Sequence, residues 1–470
     1  MTNQPNVVLI NCDDLGYGDL GCYGSTLNKT PAIDGLAADG LRFDSFYTAS
    51  PVCSPARGAL LTGCYPPRIG FGRFEGVSVL FPGMGLGLAP EEYSLASLLS
   101  DAGYRTQAVG KWHCGDQPDF QPTNHGFDHY FGLPYSNDMG IQAGGEPPTM
   151  PELAPLPLIA DGQVIEQQPD LAALTGRYVD EALKFMRVSD ERPFFLYLAH
   201  MYVHLPIYVE ERFAEQSSNG VYGAAVESID WATAVILAEL EAQGIVDDTI
   251  VIFTSDNGSL GDNPPPWGEG ESLGASNGAL RGAKTTTWEG GQRVPGIVRW
   301  PARVEAGRVS GELVTAMDLY PTLAALCGGR VPTDRIIDGR DIQSIWFGDA
   351  PSPHEVFYYY WMNDLEAVRS GRWKLHFSKH GAEQRELYDL DSDIGETTNV
   401  LADVLADRPD VVERLDRLAE VARSTLGDER LGRSGSEVRP VGEVDDPAPL
   451  TRYDPDHPYI VAEYDITARG

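Results

Sequence analysis

The sequence predicts an α/β fold: a large, mainly parallel sheet sandwiched by helices, then a smaller C-terminal α+β subdomain carrying an antiparallel sheet. Three observations carry this reading. Over residues 1–350, short apolar runs alternate with helical patterns. The clearest runs, Val7–Asn11, Phe194–Leu198 and Thr249–Thr254, are rich in β-branched or aromatic residues, as strands buried on both faces are. From about residue 351 the pattern shifts to short segments, which divides the chain into 1–350 and 351–470.

Helices are expected at Ser94–Ala102, Leu171–Val188 and Ala224–Gln243, the last stopped by Gly244. A further one, Ala316–Leu326, stops at Gly328-Gly329. Three stretches read as loops and as the rim of a site: Gly-rich 70–90, Pro-rich 140–170, and 258–280 with its Gly, Pro, Ser and Asn. Beyond 351, Glu366–Val368, Trp373–Phe377 and Arg385–Leu390 read as antiparallel strands, and Pro409–Ser424 as a helix. The last stretch is charged and Pro-rich with no clear period.

Composition narrows the function. The 470 residues are 42% hydrophobic and 22% charged, enough to bury one large core and a smaller one. The formal net charge of −34 repels nucleic acid and anionic membranes, so neither is expected as a partner. No run of about 18 uncharged apolar residues predicts a membrane span. The N-terminus lacks the basic start and apolar core of a secretion signal. The expectation is a cytoplasmic protein, or a secreted or periplasmic one whose leader has been removed. Six scattered cysteines without a CxxC pair predict neither a disulfide scaffold nor structural zinc. Only six residues are lysine, so Lys111 and Lys284, both in Gly-containing segments, stand out.

Candidate chemistry begins at strand ends. Asp13-Asp14 follows the first strand, where open parallel sheets bind ligands. Two adjacent carboxylates repel, and a hard cation relieves that repulsion; a solvated acidic turn is the plainer alternative. Thr249–Thr254 delivers Asp256-Asn257-Gly258 in the same way, which favours a shared site. An oxygen-only set favours Ca²⁺, or Mg²⁺, over zinc. Cys53-Ser-Pro-Ala-Arg57 then opens a helix, with Pro55 in its first turn and Gly63 at its end. Free N–H groups there favour an anion, and Arg57 leans back over position 53. A buried cysteine before an ordinary helix is the alternative.

The C-x-P-x-R pentapeptide with Leu61-Thr62-Gly63 resembles the type I sulfatases, in the arylsulfatase A and N-acetylgalactosamine-6-sulfatase branch of the alkaline phosphatase-like superfamily. The resemblance continues through Asn11–Gly24, Val109-Gly-Lys-Trp-His-Cys-Gly115, His125–Gly132, Phe253-Thr-Ser-Asp-Asn-Gly258, Lys284-Thr-Thr-Thr-Trp-Glu-Gly-Gly291 and Arg369–His376. It implies that a formylglycine-generating maturation enzyme oxidises Cys53 to 3-oxoalanine (formylglycine). It implies a metal, usually Ca²⁺, held by Asp13, Asp14, Asp256, Asn257 and residue 53. Arg57, Lys111, His113, Ser136, His204 and Lys284 match the residues around the modified side chain and the sulfate. The match at Ser136 is looser, and the His-x-Pro pattern selects His204 over His200.

The implied activity is hydrolysis of a sulfate ester, either an aryl sulfate or a small or terminal carbohydrate sulfate. A hydrated aldehyde offers one oxygen to attack sulfur, with Asp256 as base, and a second whose proton leaves to His113 as sulfate is expelled. Lys111, Lys284 and Arg57 stabilise developing charge, and His204 with Lys284 protonates the leaving group. Two other readings compete. One is a formylglycine-dependent phosphonate monoester or phosphodiester hydrolase, against which Asn257 stands where those relatives tend to use His. The other is a catalytically silent binding protein with unmodified Cys53.

Overall fold

The computed structural model describes residues 4–141, 154–261, 274–454 and 456. Strand Asn6–Cys12 sits near the middle of an eleven-stranded sheet and is buried almost throughout. It runs parallel to Phe194–Ala199 on one side and to Thr249–Ser255 on the other. Arg105–Gly110 and His129–Gly132 extend the parallel centre. The margins are antiparallel: Arg293–Arg299 pairs with Thr249–Ser255 and Leu41–Tyr47, and Pro157–Ala160 pairs with His129–Gly132.

Alternation along these strands explains the layers. Val7, Leu9, Phe195, Tyr197, Ile250 and Ile252 point into one apolar cluster. Val8, Ile10, Phe194, Leu196, Val251 and Phe253 point into another on the opposite face. Helices Cys53–Thr62, Leu95–Asp101 and Leu319–Cys327 cover the first face; Pro31–Ala38, Leu171–Met186 and Gly220–Gln243 cover the second. Helix Gly220–Gln243 is long and apolar enough to cross a membrane, but most of that stretch is buried inside the fold. Its apolarity is that of a core helix.

Beyond the large sheet, Phe357–Trp361, Asp364–Ser370, Trp373–Lys379 and Ala382–Asp389 form a four-stranded antiparallel sheet in sequence order. Helix Pro409–Thr425 packs on it through Val412, Leu415, Ala419 and Ala422. The same apolar cluster includes Tyr47, Ala59, Tyr65 and Met317 of the first unit. The chain then returns to the large sheet's side: Gly442–Glu443 pairs with Leu86–Gly87, and Arg439 grips Glu92.

Several expectations need correction. The 140–170 loop contains a hairpin, Pro157–Ala160 with Gln163–Gln167. Asp161-Gly162 at its tip takes positive φ at both residues, the two-residue turn that matches strand twist. Strand Phe357–Trp361 was not anticipated, and helix Gly220–Gln243 starts four residues before Ala224, its first turn closed by the Gly223 N–H on the Asn219 carbonyl at 3.0 Å. The 258–280 loop lies largely outside the described residues, as do residues 142–153 and His457.

Candidate active site

Two neighbouring strand ends set the site. In the parallel register Cys12 lies beside Ser255, so the chains leave the sheet together as Asp13-Asp14 and Asp256-Asn257. Cross-links fix this junction: the Asp256 N–H donates to the Cys12 carbonyl at 3.0 Å, and the Asp14 N–H to Asp256 Oδ1 at 3.3 Å. Asp14 holds a left-handed backbone, φ 59°, which costs about 1–3 kcal/mol and persists only because its surroundings over-determine it.

Cys53 is the first residue of helix Cys53–Thr62, whose ten residues are all buried. One ligand atom each from Asp13, Asp14, Cys53 and Asp256 lies within 4.8 Å of every other. Such a concentration of buried acid stands only when paired, since each unpaired ion costs several kcal/mol. Three cations pair with three carboxylates. Lys111 Nζ stands 2.6 Å from Asp13 Oδ2, Lys284 Nζ 2.8 Å from Asp14 Oδ2, and Arg57 Nη2 2.8 Å from Asp256 Oδ2. Burial alone would raise Asp13, but Lys111, His204 and Arg57 hold it well below the usual carboxylate range. Burial and Asp13 push the Asp256 carboxyl up to about 7, against the pull of Arg57.

Position 53 is electrostatically distinct from a reactive thiol. Burial and Asp13 drive the Cys53 thiol well above its ordinary value, outweighing Lys111 and Lys284. The helix start therefore does not create a thiolate here. Arg57, whose charge is felt at Cys53, is tied down by its neighbours. Its Nε donates to Asp256 at 2.9 Å and its Nη1 to the Lys111 carbonyl at 2.7 Å.

The remaining residues divide. His204 Nε2 is 3.9 Å from Asp14 Oδ2, the oxygen that Lys284 also meets, and burial followed by Lys284 lowers its basicity. His113, also at φ 59°, shares a hydrogen bond between Nε2 and the Leu80 carbonyl at 3.0 Å. That contact makes Nε2 the protonated nitrogen and leaves buried Nδ1 bare, with no hydrogen-bond partner among the described residues. Burial and Lys111 keep this imidazole neutral. Ser136 is buried beside the short turn Asn137–Met139, but among the described residues no hydrogen bond joins it to the cluster. His125 stacks on Trp112, and His129 pairs with Asp161 at the surface, as loop-stabilising residues do.

The oxygens fit a hard cation. Among the described residues Asp13 Oδ1, which lies 3.7 Å from Arg57 Nη2, and Asn257 Oδ1 are buried without hydrogen-bond partners, a cost that a bound cation would relieve. Asn257 Nδ2 donates to Asp14 Oδ1 at 2.8 Å, which turns its amide oxygen away from that carboxylate. Sequence reading missed the tie from Leu80, whose N–H donates to Ser54 Oγ at 3.1 Å, and the ion cluster around Glu289. Glu289 was legible only as part of a Glu-Gly-Gly run.

Comparison with known proteins agrees with this geometry. The sulfatase family model matches residues 5–329, and a model for the C-terminal part of N-sulphoglucosamine sulphohydrolase matches 283–423. Arylsulfatase A of Homo sapiens is 38% identical over 456 residues, covering 89% of this chain and 87% of its own. N-acetylgalactosamine-6-sulfatase of Canis lupus familiaris is 40% identical over 383 residues, covering 79% and 72%. Among solved structures, Ps i-CgsB in complex with k-i-k-neocarrahexaose superposes with a TM-score of 0.75 at 31% identity, over 88% of this chain and 93% of that one. The fold is alkaline phosphatase-like, and the chain belongs to the sulfatase family, the hydrolases of sulfuric esters.

Proposed function

We propose that this sulfatase acts on small or terminal sulfate esters, aryl or carbohydrate, with formylglycine at position 53 and Ca²⁺ as its ion. Members of the family are metal-dependent and formylglycine-modified. The observation that carries the reading is the convergence of Asp13, Asp14, Asp256 and residue 53 inside a ring of Arg57, Lys111 and Lys284.

Asp13, Asp14, Asp256, Asn257 and residue 53 would hold the ion. A divalent cation there supplies Lewis-acid polarisation of a sulfuryl oxygen. The all-oxygen protein donors suit calcium, with magnesium the stricter alternative in geometry. The hydrated aldehyde of a separate maturation enzyme's making supplies two hydroxyls, one to attack and one to release the product.

The chain's own side chains do the rest. Three carboxylates and three cations balance, so an added divalent charge makes the pocket attractive to an anionic ester. Lys111 and Lys284, held in place by their carboxylates, stabilise the growing negative charge with little reorganisation. Asp256 accepts the proton of the attacking hydroxyl. His113 takes the second proton on Nδ1, the nitrogen that its hydrogen bond to the Leu80 carbonyl leaves unprotonated. His204 and Lys284, sharing one Asp14 oxygen, form the side that protonates the leaving group. The acidic surface favours small substrates over extended polysulfated chains at low salt.

The test uses protein whose mass at residue 53 is lighter by one sulfur and two hydrogens less one oxygen. Such protein should release sulfate from nitrophenyl sulfate faster than it cleaves the nitrophenyl ester of phenylphosphonate. The reverse preference would favour the phosphonate hydrolase. An unmodified thiol in protein from the native host, with no release from any aryl or sugar sulfate, would sink the reading.

A further inference from the structure

We propose that Glu289 is a positioning residue, clamped by the C-terminal sheet so that it sets the placement of Lys284 and Asn257 and, through Lys284, the ease of leaving-group departure. The inference rests on the reading above, in which Lys284 serves the leaving group.

The clamp is a buried ion cluster outside the reacting centre. Glu289 is wholly buried. It accepts from Tyr47 Oη at 2.5 Å, Tyr359 Oη at 2.8 Å, Lys374 Nζ at 2.9 Å and Arg293 Nη1 at 3.4 Å. Lys374 stands equally close to Glu396, at 2.9 Å, and Glu396 accepts from His376 Nε2 at 2.8 Å and from the Glu289 N–H at 2.7 Å. Tyr359, Lys374 and His376 all belong to the antiparallel sheet. Four of the chain's six lysines, 111, 284, 374 and 379, are buried, so Lys374 is no surface solubiliser.

Glu289 is mechanically joined to both halves of the site. The loop from Arg281 to Gly290 closes on itself, Gly290 N–H to the Arg281 carbonyl at 2.8 Å, with Lys284 inside it. Thr285, next to Lys284, takes a left-handed φ of 71° that a β-branched residue avoids, and its N–H reaches the Pro51 carbonyl at 2.9 Å. Thr287 donates to buried Glu366 at 2.6 Å, a second tie to the sheet. On the other side, Gly258, adjacent to Asn257, donates to the Gly291 carbonyl at 3.0 Å. A Cβ on Gly258 would lie 1.8 Å from the Gly290 carbonyl oxygen, so the turn packs tightly on the segment that carries Asn257. Buried ion clusters contribute little net stability, and the role assigned to this one is to fix a single geometry.

The test compares 4-nitrophenyl sulfate with phenyl sulfate, whose leaving oxygen is more basic and needs more help. Enzyme with confirmed modification and saturating calcium is used throughout. Glu289→Gln should lower kcat/KM for phenyl sulfate about tenfold more than for 4-nitrophenyl sulfate, mainly through kcat. Tyr359→Phe, which removes one donor and leaves the carboxylate paired, should shift the ratio the same way by about twofold, and it carries the test where Glu289→Gln does not fold. A purely structural role scales both substrates equally through the folded fraction. An unchanged ratio in a folded variant of a wild-type enzyme active on both esters overturns the inference alone. A wild type that releases sulfate from neither overturns the reading beneath it as well.

Discussion

Lys111 shows how one side chain can serve folding and chemistry together. Its ammonium neutralises buried Asp13 at 2.6 Å and stands beside position 53. Lys111→Ala should therefore cost the metal-free protein about 3–5 kcal/mol in chemical denaturation, by stranding a buried charge. With calcium bound, kcat should fall by about 10²–10³-fold, the usual loss for one preorganised donor. Steady-state kinetics beside urea melts would separate the two effects. Cys53→Ser is expected to fold with unchanged circular dichroism and to release no sulfate beyond a single turnover. At this scale much was legible. Asp13-Asp14 and Asp256-Asn257 follow apolar strand runs, and their positions beyond strand ends are a local property. The partners of Glu289 were not legible, because Tyr47, Tyr359 and Lys374 lie 242, 70 and 85 residues away on two different sheets.

Elements tell a similar story through their ends. Gly258→Ala forces a methyl into the Gly290 carbonyl, so loss of activity and a melting temperature lowered by several degrees are expected together. Asp230 offers a pH test of helix docking. It accepts from the N–H groups of Ala32 and Ile33 at 2.9 Å each, at the start of helix Pro31–Ala38. Burial raises its carboxyl to about 6 despite those donors. The folded protein thus holds that proton more tightly than the unfolded chain, and stability falls as pH climbs from about 4 to about 6. Asp230→Asn, which keeps an acceptor and removes the charge, should add about 1–3 kcal/mol at pH 7.5 and nothing below pH 4, read as urea midpoints. The central strands were legible because both their faces are apolar. The Asp161-Gly162 hairpin was missed although its turn residues name it, because flanking prolines made the stretch read as irregular. Strand Phe357–Trp361 carries five consecutive aromatic residues without alternation, so no period marked it.

Across the whole molecule the net charge of −34 acts as a uniform strain. Raising salt from about 10 to about 150 mM shortens the screening length from roughly 30 to 8 Å, and the melting temperature should rise with it. Under the same change kcat/KM for a polysulfated polymer should increase, while that for a nitrophenyl ester stays nearly flat. Chelation should lower the melting temperature, and calcium at about 100 times its dissociation constant should restore about 2.7 kcal/mol. The three-layer plan was legible from alternating apolar runs. The return of residues 439–443 to Glu92 and Leu86–Gly87 was not, since no pattern in a polar tail announces its partner. Burial of Cys53 at 1% exposure has a consequence in time. Its helix is sealed partly by Phe357 and Tyr359, which share a cluster with Ala59 and Tyr65. Those residues are synthesised roughly 300 positions after Cys53, a delay of about 15–60 s at ribosomal speed. Under the proposed modification, an oxidising enzyme is expected to act in that interval, on a nascent segment still open to it, and refolded unmodified protein should resist conversion by the same enzyme, read as intact mass.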